Sequence, residues 1–235
     1  MTPRPLARMR RAAWLLAAVG LLTLAGCDPR SIFYFLQPFE PTIPPPGPAL
    51  KGQRVVVLTH AGGGTQADFP SLDRDMTRGL AAILRQKVKK IDVVETEKVR
   101  GWVDAHTTYS DPAEVGRAFD ADFVIFLEVE TFRIQDPSSP GLFEGTSKVH
   151  IQVHQLRPPT DSGGQPIPGR PRESEVVYDD VRDTSFPNRG PIPMDVGVSR
   201  AAFRKKFLDL VVTEVSWHFV GHAPGDNIQD VKFDQ

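Results

Sequence analysis

Read for apolar and polar positions, the chain falls into short β-type runs separated by helical periodicities. Arg54-Val-Val-Val-Leu-Thr59 is an apolar, β-branched run of the kind that makes a buried strand. Leu72, Met76, Leu80, Ile83, Leu84 and Val88 then recur at helical spacing. Asp73 and Asp75 stand early in that helix and Lys87, Lys89 and Lys90 late, which complements its dipole. Ile91-Asp-Val-Val94 predicts a second strand, and Val99, Trp102, Val103 and His106 a short helix. Asp111-Pro112-Ala113-Glu114 combines a capping Asp, Pro at the first helical position and Glu at the third; the helix it starts ends near Phe119. Phe123-Val-Ile-Phe-Leu127 is a buried strand that turns to alternation at Glu128 and Glu130. Val149, Ile151 and Val153 alternate with Lys148, His150, Gln152 and His154, a strand with one wet face. Glu175 to Val181 predicts another strand. Ser199 then caps a last helix with Phe203, Phe207, Leu210, Val211, Val215 and Phe219 on one side.

The predicted order is β-α-β-α-α-β-β-β-α. It describes an α/β (α+β) fold: one mixed β-sheet with helices packed against it, in a single domain without internal repeats.

Composition changes this picture at one end of the chain. The 235 residues carry 28 Lys and Arg against 29 Asp and Glu. The first 26 residues hold four Arg (Arg4, Arg8, Arg10, Arg11) and no acid, so the remainder has 24 basic and 29 acidic residues, a net of −5. That balance offers no electrostatic footprint for nucleic acid. The basic excess precedes an apolar run of 13 residues, Ala12 to Leu24, too short for the ~20 needed to span a bilayer. Positive start, apolar centre and small residues together predict a signal peptide. The run closes on Leu24-Ala25-Gly26-Cys27, which resembles the lipobox of bacterial lipoproteins. That resemblance implies cleavage before Cys27 and lipidation of its thiol. Cys27 is the only cysteine, which excludes an intramolecular disulfide, a multi-thiolate zinc site and a CxxC redox pair. Two or three acyl chains give stable anchoring where one binds only marginally. Asp28 resembles an inner-membrane retention signal of enterobacteria, a lineage-dependent rule that leaves cell membrane and outer membrane both open.

Six prolines between Pro38 and Pro48 predict an extended, semi-rigid spacer. Phe33, Tyr34, Phe35 and Phe39 lie just before or within it, placed to meet the bilayer interface or the domain. The chain thus divides into a lipoprotein signal peptide (1–26), a lipidated cysteine with a Pro-rich tether (27–50), an α/β domain (51–222) containing an irregular block at 157–193, and a tail (223–235).

Over residues 53–157 the pattern resembles the periplasmic α/β domain of curli-secretion-channel-like lipoproteins, penicillin-binding-protein-activator lipoproteins and the N-terminal domain of TolB-like proteins. The matching features are Val55-Val-Val-Leu58, the Leu72–Val88 helix, Asp92-Val-Val94, and the step Ala118-Phe-Asp-Ala-Asp-Phe-Val-Ile-Phe126. The 157–193 block departs from that pattern, and no hairpin has the alternation of a pore-forming segment. The resemblance implies a non-catalytic role, binding other envelope components, often within oligomers.

Among candidate chemistries, His60-Ala-Gly-Gly-Gly64 is the most suggestive. Glycines Gly62, Gly63 and Gly64 would let backbone amides approach an anion, and the block resembles the oxyanion loop of lipases and esterases. No nucleophile elbow accompanies it: Gly197-Val-Ser199-Arg-Ala201 lacks the final Gly and follows a proline-rich loop. No Gly-Lys-Ser/Thr follows the triplet either, so it is not a P-loop. A flexible β–α connection is the plainer reading. His150 and His154 share a strand face but stand ~13 Å apart, too far to ligate one ion. Glu128 and Glu130 are placed to meet His150 across a ladder, in a metal site or in a solvated face of paired charges; the second is favoured. Asp73 with Asp75 and Asp179 with Asp180 read as solvated charges, His218 and His222 as histidines at a helix end, and Trp102 and Trp217 as core.

The expectation is therefore a membrane-anchored envelope lipoprotein with its domain on the periplasmic side. It acts without catalytic residues, metal or cofactor, binding another envelope protein or itself. The alternative is a small-ligand-binding or hydrolytic protein using the His60–Gly64 loop. A structural spacer without a specific partner is a third, weaker possibility.

Overall fold

The computed structural model describes residues 41–226 apart from 166 and 196, and the elements below belong to the unit that begins at Thr42. The first apolar run forms β1 (Arg54–Ala61), followed by the short helix α1 (Gly63–Asp68) and the amphipathic helix α2 (Leu72–Lys87). Strand β2 (Asp92–Val93), helices α3 (Thr96–Ala105) and α4 (Pro112–Ala118), and strand β3 (Phe123–Arg133) complete the parallel part. Strands β4 (Leu142–Phe143), β5 (Gly145–Arg157), β6 (Glu173–Phe186) and β7 (Ile192–Pro193) lead to helix α5 (Arg200–Ser216).

The main sheet is mixed, with strand order β2-β1-β3-β5-β6; β4 and β7 make a separate two-stranded piece. β1 runs parallel to β2 and β3, while β5 and β6 are antiparallel neighbours. The α/β class inferred from periodicity is the one observed.

Burial explains the β1 run. Val55 and Val57 join Ile125, Leu127, Val149, Ile151 and Val153 on one face of the sheet. Leu72, Met76, Leu80 and Leu84 of α2 and Phe203, Phe207 and Val211 of α5 close over that face. Val56 and Leu58 point the other way, with Val124 and Leu156, under Val99 of α3 and Val115 of α4. A strand buried on both faces needs a continuous apolar run, whereas β3 and β5, wet on one face for part of their length, alternate. Each such buried side chain contributes roughly 1.5–3 kcal/mol of transfer free energy.

The Ala118–Phe126 step has a specific job. Asp120 adopts a left-handed φ of 52°, and Ala121 N–H donates to Gly116 C=O at 2.9 Å, closing α4. Asp122 Oδ2 then accepts the Arg54 N–H at 2.8 Å, while its Oδ1 meets Arg172 Nη1 at 2.9 Å. One carboxylate thereby aligns the starts of β1 and β3. At the other end of α4, Asp111 Oδ1 accepts the Ala113 N–H at 2.8 Å, the cap predicted from sequence. Ser199 Oγ caps α5 in the same way through Ala202 N–H.

Four features differ from the sequence expectations. His60 and Ala61 belong to β1, and Gly63 and Gly64 open α1 instead of a flexible connection. Phe69, immediately after α1, is buried edge-on against Phe132 at 5.1 Å and pins that helix. β2 keeps only two residues, because Val93 and Val94 C=O accept Arg85 Nη2 and the chain turns into α3. β6 spans 14 residues, well beyond Glu175 to Val181 and inside the stretch 157–193; no proline falls within it. His218 follows the end of α5, as expected, but it is buried, and the His222 backbone bridges to Ile43.

Candidate functional site

Beyond the cover of α3 and α4, β3, β5 and β6 leave one face of the sheet open. Its side chains follow from register. Glu128 on β3 stands opposite His150 on β5, and His150 opposite Val181 on β6. His60 on β1 stands opposite Glu128 in turn, so one row crosses four strands. Within it His150 Nε2 lies 2.6 Å from Asp179 Oδ1, and His150 Nδ1 lies 3.9 Å from Glu128 Oε2. Gln152 Nε2 donates to Asp179 Oδ2 at 3.0 Å. The bonds from His150 and Gln152 hold the Asp179 carboxyl below the usual carboxylate range. Glu130 turns to Lys148 Nζ at 2.6 Å, across the bulge between Val129 and Thr131. This is the solvated face of paired charges favoured from sequence. Among the described residues no group of three His, Cys, Asp or Glu could hold a metal ion.

His154, next along β5, is different. It is buried, its Nδ1 lies 3.4 Å from Ser174 Oγ, and its Nε2 has no hydrogen-bond partner among the described residues. Burial pushes its pKa down, against the pull of Asp111.

The glycine block sits where β1 ends beside β3. The connection from β1 to β2 runs through α2 on one face, and that from β2 to β3 through α3 and α4 on the other. The carboxyl ends of β1 and β3 therefore mark a topological switch point, where open α/β sheets place ligands. A hollow of about 400 Å³ lies there, lined by Gly62, Gly63, Gly64, Asp68, Glu130 and Arg133 among others. Two carboxylates against one guanidinium make it a poor anion cradle. Gly62 has an ordinary φ of −57°, and a Cβ on Gly63 or Gly64 would meet nothing within 4 Å. A second hollow of about 380 Å³ lies between α2 and α3, with Thr59, Arg74, Thr77, Glu97, Arg100 and Asp104 on its walls.

Beneath β6, on the α5 side, lies a cluster that sequence reasoning missed. Tyr178 Oη lies 2.7 Å from His218 Nδ1 and donates to Asp180 Oδ2 at 2.9 Å. Burial pushes the Tyr178 hydroxyl well up, helped by Asp180. Burial likewise pushes His218 down, against Asp180. Arg182 bridges to Glu214 Oε2 at 2.8 Å, Thr184 Oγ1 donates to the same oxygen at 2.8 Å, and the guanidinium lies over Trp217. Trp217 is thus buried packing, as expected. Trp102 is half-buried and stacks on His106 at 4.1 Å.

These contacts fasten β6 to the body, and among the described residues no strand pairs with its far side. β6 is the last strand of the sheet, and it exposes Val176 (48 %), Val177 (37 %) and Val181 (40 %). The sequence signal was present: Val176-Val177 breaks the alternation of a strand with one covered face.

Cys27 and the aromatic residues near it lie outside the described residues. Among the described residues no helix is long and apolar enough to cross a membrane. No family model matches the chain, and no curated protein matches it. Several solved structures are similar in outline. PelC from Paraburkholderia phytofirmans, a dodecamer, is 15% identical, with a TM-score of 0.39 over 76% of this chain and 95% of that one. A lipoprotein from Neisseria meningitidis is 13% identical, TM-score 0.36, over 72% and 99%. A putative neuraminyllactose-binding hemagglutinin homolog from Helicobacter pylori is 11% identical, TM-score 0.36, over 75% and 89%. Likenesses of this size are of outline only.

Proposed function

We propose that the chain is a lipid-anchored lipoprotein of the bacterial envelope whose α/β domain acts as a non-catalytic protein-binding or assembly module. The observation that carries this reading is the open edge of β6. A long edge strand with exposed valines presents backbone groups and apolar surface to a partner, and its acidic side chains disfavour pairing with a like-charged strand. The anchor rests on the Leu24-Ala25-Gly26-Cys27 pattern, and the periplasmic placement on the same pattern. The proposed kinship with curli-secretion-channel-like, penicillin-binding-protein-activator and TolB-like domains rests on the run of residues 53–157.

A photo-crosslinking residue at Val181 of the full, anchored chain tests the reading, with one at exposed Gln86 on α2 as control. Adducts with another envelope protein or a second copy from position 181, and few from 86, are expected. Equal or absent adducts at the two positions would count against a binding role for this edge.

One observation favours the second reading, a small-ligand or hydrolytic site at His60–Gly64. Neither Gly63 nor Gly64 is required by backbone conformation or by close packing, so their lack of side chains is left for a ligand to explain. Replacing His60 by Ala while screening ester substrates tests it. Hydrolysis that is absent, or unchanged in the variant, removes the hydrolytic form.

A further inference from the structure

The outward side of β6 can be read group by group. The Leu156 N–H donates to Asp122 C=O on the β3 side, so even-numbered residues of β5 turn their amides toward β3 and odd-numbered ones toward β6. The odd residues Val153, Ile151, Val149 and Ser147 stand opposite Tyr178, Asp180, Arg182 and Thr184. Those four therefore carry the ladder bonds to β5. Asp179, Val181, Asp183 and Ser185, lying between them, turn their N–H and C=O groups away from the sheet. One bond confirms this: the Val181 N–H is met by Asp180 Oδ1 at 2.8 Å, not by β5.

The side chains along this edge have one sign. Glu173, Glu175, Asp179, Asp180 and Asp183 stand against a single cation, Arg182, whose guanidinium is already bound to Glu214. On β5 Lys148 stands opposite Asp183, whose charge it feels, and Arg157 stands opposite Glu173, while Glu175 faces the neutral Gln155. Between the charges stand the exposed valines. A second copy of β6 is a poor occupant: antiparallel pairing about Val181 sets Asp179 opposite Asp183 twice, on one face, and like charges directly opposite destabilise a ladder.

We propose that the edge of β6 receives an extended segment of another protein, added as a sixth strand, one face of which reads cation, apolar residue, cation at every second position, to meet Asp179, Val181 and Asp183. Backbone groups at 179, 181, 183 and 185 supply the ladder, the Val181 N–H exchanging its bond to Asp180 Oδ1 for one to the added strand; the carboxylates select for cations, and Val181 between them takes the apolar position. This rests on the protein-binding reading above and adds the chemistry of the partner.

The test uses the full, detergent-solubilised chain and a fluorescent lysine peptide that repeats Lys-Thr-Val-Thr, so that one face reads lysine, valine, lysine, with the same peptide carrying glutamate for lysine as control. Saturable binding of the lysine peptide alone, weakening with salt, is expected. Val181→Pro removes an outward amide that makes no bond to β5, and Asp183→Lys reverses a charge without touching the backbone. Each is expected to weaken binding by about tenfold, the equivalent of ~1.4 kcal/mol. Circular dichroism establishes that both variants fold. No saturable binding, or equal binding by wild type and Val181→Pro, would overturn the proposal, the second result meaning adsorption of a cation by an acidic protein. Concentration-dependent dimers that the peptide fails to dissociate would overturn it in favour of a second copy. If position 181 crosslinks in the envelope while the lysine peptide does not bind, the protein-binding reading survives and only the partner's chemistry is wrong.

Discussion

The Tyr178 hydroxyl lies 2.7 Å from His218 Nδ1 and joins the edge strand to the turn that follows α5. Asp180, on the same strand, takes the other bond of that hydroxyl. The edge strand is thereby held from behind by a contact between half-buried Tyr178 and buried His218. Tyr178→Phe is expected to cost about 1–3 kcal/mol, since His218 then keeps a buried nitrogen without its partner. Urea denaturation measures the loss. Hydrogen exchange reports whether β6 amides open first.

His218 and His154 set a pH dependence. Burial lowers both, with Asp180 pulling His218 upward and Arg182 pushing it further down, and with Asp111 pulling His154 upward. The unfolded chain thus accepts protons that the folded one refuses. Stability is full above the ordinary histidine range, about pH 6.5, and falls as pH drops below it toward the lowered folded values. Melting temperatures taken from about pH 7.5 to about 5.5 should decline on the acid side. A variant carrying His154→Gln and His218→Gln should show a flatter profile.

Arg182 and Glu214 form a largely buried pair. Arg182→Ala strands the Glu214 carboxylate with Thr184 alone and is expected to cost about 3–5 kcal/mol. Adding Glu214→Gln should recover part of that loss, because it removes the buried charge. A double-mutant cycle in urea reads the coupling directly.

Glycines divide into those the packing demands and those it does not. A Cβ at Gly145 would stand 2.7 Å from the ring of Phe207, under α5. Gly145→Ala is therefore expected to destabilise by about 1–3 kcal/mol. Gly63→Ala, which meets open space at the start of α1, should fall within about 0.5 kcal/mol of wild type. Equal effects at the two positions would contradict the packing described here.

Cys27→Ala tests the anchor. Radioactive palmitate should label the wild type and not the variant, and label that persists in the variant would end the lipobox assignment.

Much of the fold was legible before any coordinates. Val55 to Leu58, the stripe from Leu72 to Leu84, the Asp111 cap and the Ser199 cap are each decided by neighbours in sequence, through periodicity or a side chain reaching two or three residues on. The wet faces of β3 and β5 were legible for the same reason. The full lengths of β3, β5 and β6 were not. Arg133, Gly145 and Glu173 belong to strands because a neighbouring strand offers a ladder there, and ladder partners are distant in sequence.

The candidate sites divide along the same line. The sequence alone determined the class of fold, and it raised the expectation of a lipid anchor at Cys27 and the candidacy of His60 to Gly64, since each depends on residue type and local spacing. Tertiary structure decided that β6 is the last strand of the sheet, that Glu128 and His150 share one row, and that Asp179 reaches His150 from the neighbouring pair. It also decided that His218, at the end of α5, is buried against Tyr178. Strand order and register come from contacts made by the folded chain as a whole, so an edge exists only once every other strand has found its partner.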